Sequence, residues 1–434
     1  MIRLRWTDPQ PDNPSAPVDW RIPSLITATL FLNFGFWSLP QPDFVSGFGL
    51  ILFTAAASLL MVTLFYFGPA LSAQARHGSL YDVACDSFGT LPAFALCAGC
   101  AFFLILWTAA WALSIVLVGQ MGSHRSFLEL RFVTGVVVLF LFFTAFPSLR
   151  SHAKLASFTN KLAIAILVAT LIRARRGIPA AWDAESYLNS AGAWHYLADL
   201  SYYAGPLMLL AAGFGRRCRT KKHALMIGLS GLALPIVASV VGSSLVIGAG
   251  LALHERLTSI PLNVGAVLTY GDSRHYLWPK MALLALTMFG LIRFGACALA
   301  ETISGYNLRR PVKLSLFALS IVAIGWLANY AWDFSGTIES AATALAAVAG
   351  VLTADALTGL HNRPRHRFDW IGLSALGVAF LAPWPLEFLL GWSPDSLRAP
   401  WLLPIYGISF ATCLLGRTIE KLTRIAKPHP ILYN

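Results

Sequence analysis

Residues 33–38 read Asn-Phe-Gly-Phe-Trp-Ser, and residues 202–206 read Tyr-Tyr-Ala-Gly-Pro. Each group sits inside an apolar stretch long enough to cross a bilayer, which takes about 20 residues of helix. Pro206 has no backbone N–H and its ring clashes with the preceding turn, so the sequence predicts a break or kink there. The polar Asn33 and the adjacent Gly35 predict another in the first stretch. Unwound backbone is tolerated at membrane depth only where protein or a water-filled cavity surrounds it. Two such interruptions point to a site lined by backbone near the midplane. An ordinary proline kink and an ordinary glycine contact would leave the same letters.

The rest of the chain agrees with a membrane setting. It has 434 residues, of which 57% are hydrophobic and 12% charged, and a mean hydropathy of +0.65. Soluble proteins carry about 25% charged residues, so disorder, a disulfide scaffold and a soluble multidomain enzyme fit poorly. Twelve candidate spans cover 22–40, 43–68, 91–119, 126–147, 153–173, 193–215, 222–253, 277–305, 312–332, 335–358, 369–390 and 399–418. The seventh is too long for one straight crossing and must tilt, bend or protrude. With the N-terminus placed inside, most basic residues outside the spans fall on that side, including Arg216, Arg217 and the run to Lys222. The net charge of +12 therefore reads as topology control with both termini cytoplasmic, rather than as nucleic-acid binding.

Spans 1 and 6 are five apart and run in opposite directions, as the interrupted members of a five-plus-five inverted repeat do. The expected fold is all-α and integral to the membrane, with twelve transmembrane helices and discontinuous helices in spans 1 and 6. A cytoplasmic tail (1–21) precedes a first repeat (22–173) and a second repeat (193–358). Two further helices (369–418) and a cytoplasmic tail (419–434) follow. Residues 1–20 hold no short apolar core suited to a cleavable signal peptide. Cys97 and Cys100 form a C-x-x-C inside an apolar span with no histidine nearby, which reads as small packing residues. No G-x-x-x-x-G-K-[ST] is present, so transport would run on gradients or be passive. No cofactor and no metal site are expected.

Residues 67–96, FGPALSAQARHGSLYDVACDSFGTLPAFAL, resemble the segment between helices 2 and 3 of the nucleobase–cation symporter family of cytosine, purine and hydantoin permeases. The matching residues are Gly78, Ala84, Ser87, Phe88 and Gly89, with Cys85 where the family usually has Arg. Phe214-Gly215-Arg216, Ser304-Gly305 and Gly350-Val351-Leu352-Thr353-Ala354-Asp355 continue the resemblance in order, over roughly residues 22–360. It implies the repeat fold, a small planar nitrogen-containing solute such as a nucleobase, alternating access, and a bacterial inner membrane. Departures are equally specific. The Ala-Asp-x-x-Arg-Phe expected near the end of span 6 is replaced by residues 209–214, and Cys100 and Phe103 stand where the family often has Gln and Trp. Phe294 to Leu299 lack the hydroxyls and Asn that usually serve sodium and substrate. Coupling to protons, or uncoupled exchange, follows more readily than coupling to sodium.

The resemblance places Asn33, Phe34, Gly35, Trp37, Cys100, Phe103, Trp107, Tyr202, Tyr203, Gly205, Arg293 and Cys297 around the substrate. Aromatic faces could sandwich a planar heterocycle, and Asn33 could hydrogen-bond it. Arg293 lies near the middle of span 8, where a charge costs at least ~2.5–3.5 kcal/mol and needs a partner. Three readings stay open: a guanidinium standing in for the cation, a fork for an anionic substrate group, or a structural ion pair. Candidate partners are Asp199, Glu301 and Glu339. A buried Asp199 or Glu339 could also carry a proton. The competing cargo is an anionic or zwitterionic metabolite held by Arg293. A membrane enzyme or a non-transporting sensor fits less well, because the histidines are scattered and no H-x-x-x-H lies in a span.

Overall fold

The computed structural model describes residues 18–37, 48–123, 149–183, 190–253, 264–269, 274–302, 334–359, 366–383, 385 and 402–426. All regular structure among them is helical. The first membrane element is split into α1 (Arg21–Ala28) and α2 (Phe34–Trp37). It is followed by α3 (Phe48–Arg76), the short α4 (Leu80–Phe88) and α5 (Thr90–Ser123). The middle of the chain forms α6 (Leu149–Ala174), α7 (Ile178–Asp183), α8 (Ser190–Gly215), α9 (Lys221–Gly228) and α10 (Leu234–Leu253). The remainder gives α11 (Val264–Thr269), α12 (Arg274–Thr302), α13 (Phe334–Thr358), α14 (Trp370–Leu381) and α15 (Leu402–Ala426).

Among the described residues, seven helices are long and apolar enough to cross a membrane: Ile51–Arg76, Thr90–Ala112, His152–Ala174, Lys221–Gly250, Pro279–Thr302, Ser340–Thr358 and Leu402–Thr423. They answer to spans 2, 3, 5, 7, 8, 10 and 12, and they make the chain an integral membrane protein. Tyr203–Gly215 and Trp370–Leu381 are shorter apolar helices in spans 6 and 11. Spans 4 and 9 lie outside the described residues. Large apolar side chains such as Phe53, Phe102, Phe158 and Leu234 are exposed, as expected of surfaces that meet lipid.

The structure departs from sequence expectation at span 6. α8 runs unbroken through Pro206. The residues from Tyr203 to Phe214 are buried on every side, and a helix apolar all round is held by packing on all its faces. One missing backbone hydrogen bond does not undo that packing. The seventh span is resolved differently: α9 and α10 are joined by a π-helical turn at Leu229–Ala233. There the Ser230 hydroxyl donates to Met226 O (2.6 Å) and lies 2.9 Å from the Ser24 hydroxyl of α1. The extra residue of a π turn lets the long element change course.

The stretch that carries the resemblance folds for visible reasons. Ser79 caps α4 in a reciprocal box with Asp82. Gly89 follows with φ of +93°, and a Cβ there would collide with the backbone of Arg367 and Phe368. That close approach lets Thr90 N–H reach His366 O (3.1 Å) and Asp369 N–H reach Phe88 O (2.9 Å).

Candidate functional site

Helix 1 is open between Thr29 and Asn33, and its stranded backbone groups are met by side chains. Asn33 donates its amide to Thr29 O (3.0 Å) and Leu30 O (2.9 Å), and its Oδ1 accepts from Phe36 N–H (2.9 Å). One buried residue thus finishes α1 and starts α2. Phe34 N–H donates to the Thr287 hydroxyl of α12 (3.0 Å), and the Ser239 hydroxyl of α10 donates to Phe31 O (2.9 Å). Asn160 of α6 donates to Leu25 O one turn earlier (2.9 Å). The break is therefore anchored to three neighbouring helices, and Asn33 spends both its donors on backbone rather than on a solute.

Aromatic side chains close around this break. Tyr203 of α8 meets Phe36 edge-on at 5.0 Å and Phe31 at 6.4 Å between centroids. Trp111 of α5 approaches Tyr203 at 5.6 Å and Trp107 at 6.1 Å, and Trp107 reaches Phe294 of α12 at 6.1 Å. A side chain at Gly35 would collide with the Trp111 ring, so only glycine lets α2 approach α5 this closely. Gly205 gives Phe103 the same room, since a Cβ there would lie 3.1 Å from its ring. Cys100 and Cys297 are buried on α5 and α12. Trp37 is fully buried, and its indole N–H has no acceptor among the described residues. A buried donor without a partner carries a desolvation penalty of about 1–3 kcal/mol.

Arg293 lies on a different face of α12 from this aromatic group. Gly295 and Phe294 turn towards Thr108 and Trp107 of α5. Arg293 lies about 200° around the helix from Gly295 at 100° per residue. It lines a small cavity with Thr29, His152, Ala156 and Gly290, at the junction of α1, α6 and α12, with room for about one water molecule. Its Nε donates to His152 Nδ1 at 3.3 Å.

Of the partners expected for Arg293, Glu301 is shared by Arg216 and Arg217 just beyond α8, with Arg217 Nη2 at 2.7 Å. The side chains of Asp199 and Glu339 lie outside the described ones, as does that of Tyr202. All six cysteines are free and buried, and no cluster of potential metal ligands occurs among the described residues. Asp355 is buried against Arg417, whose Nε donates to Asp355 Oδ1 at 2.7 Å.

Thr287, Ser239, Trp111, His152 and Arg417 thus carry weight that their sequence context did not announce. A hydroxyl two turns before Arg293 was the available signal for Thr287. Nothing in the sequence pairs His152 with a residue 141 positions away.

No protein-family model matches the chain, and no curated protein matches it in sequence. Among solved structures it is similar to Mhp1, a nucleobase-cation-symport-1 family transporter, in a closed conformation with bromovinylhydantoin bound. The TM-score is 0.62 at 14% identity, over 96% of each chain. The inward facing conformation of Mhp1 gives a TM-score of 0.61 at 14% identity, over 96% of this chain and 94% of that one. A substrate-bound outward-open Na+-coupled sialic acid symporter gives 0.60 at 12% identity, over 96% and 92%. The chain therefore has the fold of these membrane transporters along nearly its whole length. It matches the two Mhp1 conformations almost equally, so the likeness is to the architecture rather than to one state.

Proposed function

We propose that the chain is a secondary active transporter that moves a small planar nitrogen-containing solute, such as a nucleobase or related heterocycle, by alternating access. Helices up to α6 form the first inverted repeat (22–173) and α8 to α13 the second (193–358). The two C-terminal helices (369–418) are additional to the repeats, and both termini lie on the cytoplasmic side of a bacterial inner membrane. The observation that carries the reading is the break in helix 1, walled by aromatic rings from α5 and α8 and holding a buried indole N–H with no acceptor among the described residues. The residues assigned to the solute are Phe34, Gly35, Trp37, Cys100, Phe103, Trp107, Tyr203 and Gly205, together with Tyr202, whose side chain lies outside the described ones. A planar solute that displaces one ring contact and accepts from Trp37 would satisfy both features.

Arg293 supports sodium-independent operation. Its place between α1, α6 and α12 is where the resemblance puts the coupling ion, and a tethered guanidinium supplies a fixed positive charge there. Arg293 lines a separate small cavity that Phe294 alone of the named rings reaches, with room for about one water molecule, which argues against an anionic metabolite held jointly by both.

The test is a thermal-shift screen of purified protein against nucleobases, hydantoins, vitamins and amino acids, with and without sodium. A ligand at 100 times its Kd adds about 2.7 kcal/mol of stability. A heterocycle should stabilise the wild type, and Trp37→Phe should weaken that shift while leaving the unliganded protein at least as stable. Stabilisation by sodium alone, or an unchanged heterocycle shift in Trp37→Phe, would count against the reading.

A further inference from the structure

We propose that the Trp111 indole occupies the solute's own place: it fills the slot beside the helix 1 break, and a two-ring nitrogen heterocycle binds by displacing it. This rests on the transporter reading above. It names the ring that yields, and with it the size of the cargo.

The slot is defined by what Trp111 touches. Carbons of its six-membered ring lie where a Cβ on Gly35 would fall, and the same point is 3.0 Å from Asn33 Oδ1. The Tyr203 ring lies 5.6 Å from the indole at 49°, and Trp107 lies 6.1 Å away, nearly edge-on at 72°. The indole is thus inserted between the broken part of helix 1 and α8, in the space assigned to the solute. Ring and solute cannot both occupy it.

Of the rings in this group, Trp111 is the one placed to leave. Phe31, Phe36, Phe103, Trp107, Tyr203 and Phe294 are buried, whereas Trp111 is only partly so. Among the described residues no hydrogen bond fixes it, so packing alone seats it. Rotation between staggered side-chain rotamers clears the slot without moving α5.

The slot favours a nitrogen heterocycle over the indole that fills it. Asn33 Oδ1 accepts from Phe36 N–H, and an amide oxygen has a second lone pair. Trp111 brings carbon to that edge. A solute with a ring N–H there gains a buried hydrogen bond that the tryptophan does not make, and its faces take over the contacts to Tyr203 and Trp107. Two fused rings refill the vacated volume. A single ring leaves part of it empty, and its lining loses those contacts.

Competition for one slot gives a truncation of Trp111 a definite sign. While the indole is seated, only the fraction of molecules with the ring swung out can bind, and the apparent affinity falls by that fraction. Truncating a residue that merely walls the solute would weaken binding instead.

The experiment measures equilibrium binding of radiolabelled hypoxanthine and uracil to purified wild type, Trp111→Ala and Trp111→Phe. Trp111→Ala should bind hypoxanthine about tenfold more tightly or better, as expected when a minor open state becomes the only one. Uracil should gain less. Trp111→Phe keeps one ring and most of the packing, so it should fall between, and it serves if the alanine variant folds poorly. Gly35→Ala added to Trp111→Ala puts a methyl group into the slot and should cancel the gain. Hypoxanthine bound equally or more weakly by both Trp111 variants overturns the displacement and leaves the transporter reading intact. A gain that survives Gly35→Ala puts the solute elsewhere and overturns it too, and a gain for uracil as large as that for hypoxanthine overturns the size assignment. Absence of binding of either base to any of the proteins, a different pattern, overturns this proposal and the cargo reading together.

Discussion

Thr287→Val removes one oxygen and keeps the side-chain shape, which makes it a clean probe of the helix 1 break. The Thr287 hydroxyl accepts from Phe34 N–H at 3.0 Å and passes its own proton to Leu284 O at 2.7 Å, and the residue is fully buried. Leu284 O belongs to the α12 ladder, so losing that second bond costs little. Phe34 N–H is different, because at the start of α2 it has no intrahelical acceptor. Stranding it costs about 1–3 kcal/mol. At roughly 2 °C per kcal/mol, the lower end for longer chains, the melting midpoint in detergent should fall by about 2–6 °C. Thr287→Ser should recover most of the loss. Thr302→Val is the matched control: Thr302 is equally buried, but its hydroxyl only returns to Ala298 O of its own helix at 2.8 Å. Its removal orphans no backbone donor and should shift the midpoint by less than half as much. Equal shifts for Thr287→Val and Thr302→Val, or a Thr287→Ser as damaged as the valine, would refute the claim that Thr287 holds the break.

Glu301→Gln should cost about 3–5 kcal/mol, because it leaves Arg216 and Arg217 buried without their shared carboxylate; a melting midpoint equal to wild type would contradict it. Arg417→Lys should cost nearly as much. A single ammonium cannot serve Asp355 and Asp369 in the forked geometry that Arg417 uses, and the check is the same melting measurement with yield from the membrane. Burial pushes the Cys218 thiol up to about 11, so its thiolate is scarce at neutral pH. Alkylation by a maleimide, followed by intact mass, should be slow at pH 7 and rise about tenfold per pH unit until that value is neared. Labelling at the rate of an exposed thiol would show the site to be open.

Much of the architecture was legible because bilayer length and apolar runs are strong signals. The long described helices overlap the spans the sequence places, though α3 continues through Pro69 to Arg76 and α15 to Ala426, each eight residues past the expected end, and the short α4, α7 and α11 fall between spans. The break at Asn33 was legible too, since a buried amide beside glycine has few uses other than capping unwound backbone. Pro206 misled for the opposite reason. Its local cost is visible in the sequence, but the packing on all sides of α8 that outweighs it is not. The same holds for His152, Thr287 and Ser239, which look like ordinary helix residues until the neighbour they touch is known. Arg417 reads as a topological anchor after the last span, yet its side chain is fully buried.

That last point changes what the basic residues at one end of the bundle do. Arg76 pairs with Asp86, Arg216 and Arg217 with Glu301, and Arg417 with Asp355 and Asp369. These pairs gather where α3, α4, α8, α12 and α13 end and α14 begins, with Arg417 reaching in from α15. His77 Nδ1 at 3.3 Å from Arg216 O, and Arg417 Nη2 donating to Ser87 O at 3.3 Å, tie one group to the next. An apolar plug at this end would be stable when shut and costly to wet. Buried ion pairs behave otherwise: the attraction gained on closing is largely offset by the hydration lost, and water returns that hydration on opening. Removal of one partner is severely destabilising, and so Glu301→Gln should harm the protein far more than replacement of the whole Arg216–Arg217–Glu301 group by methionines.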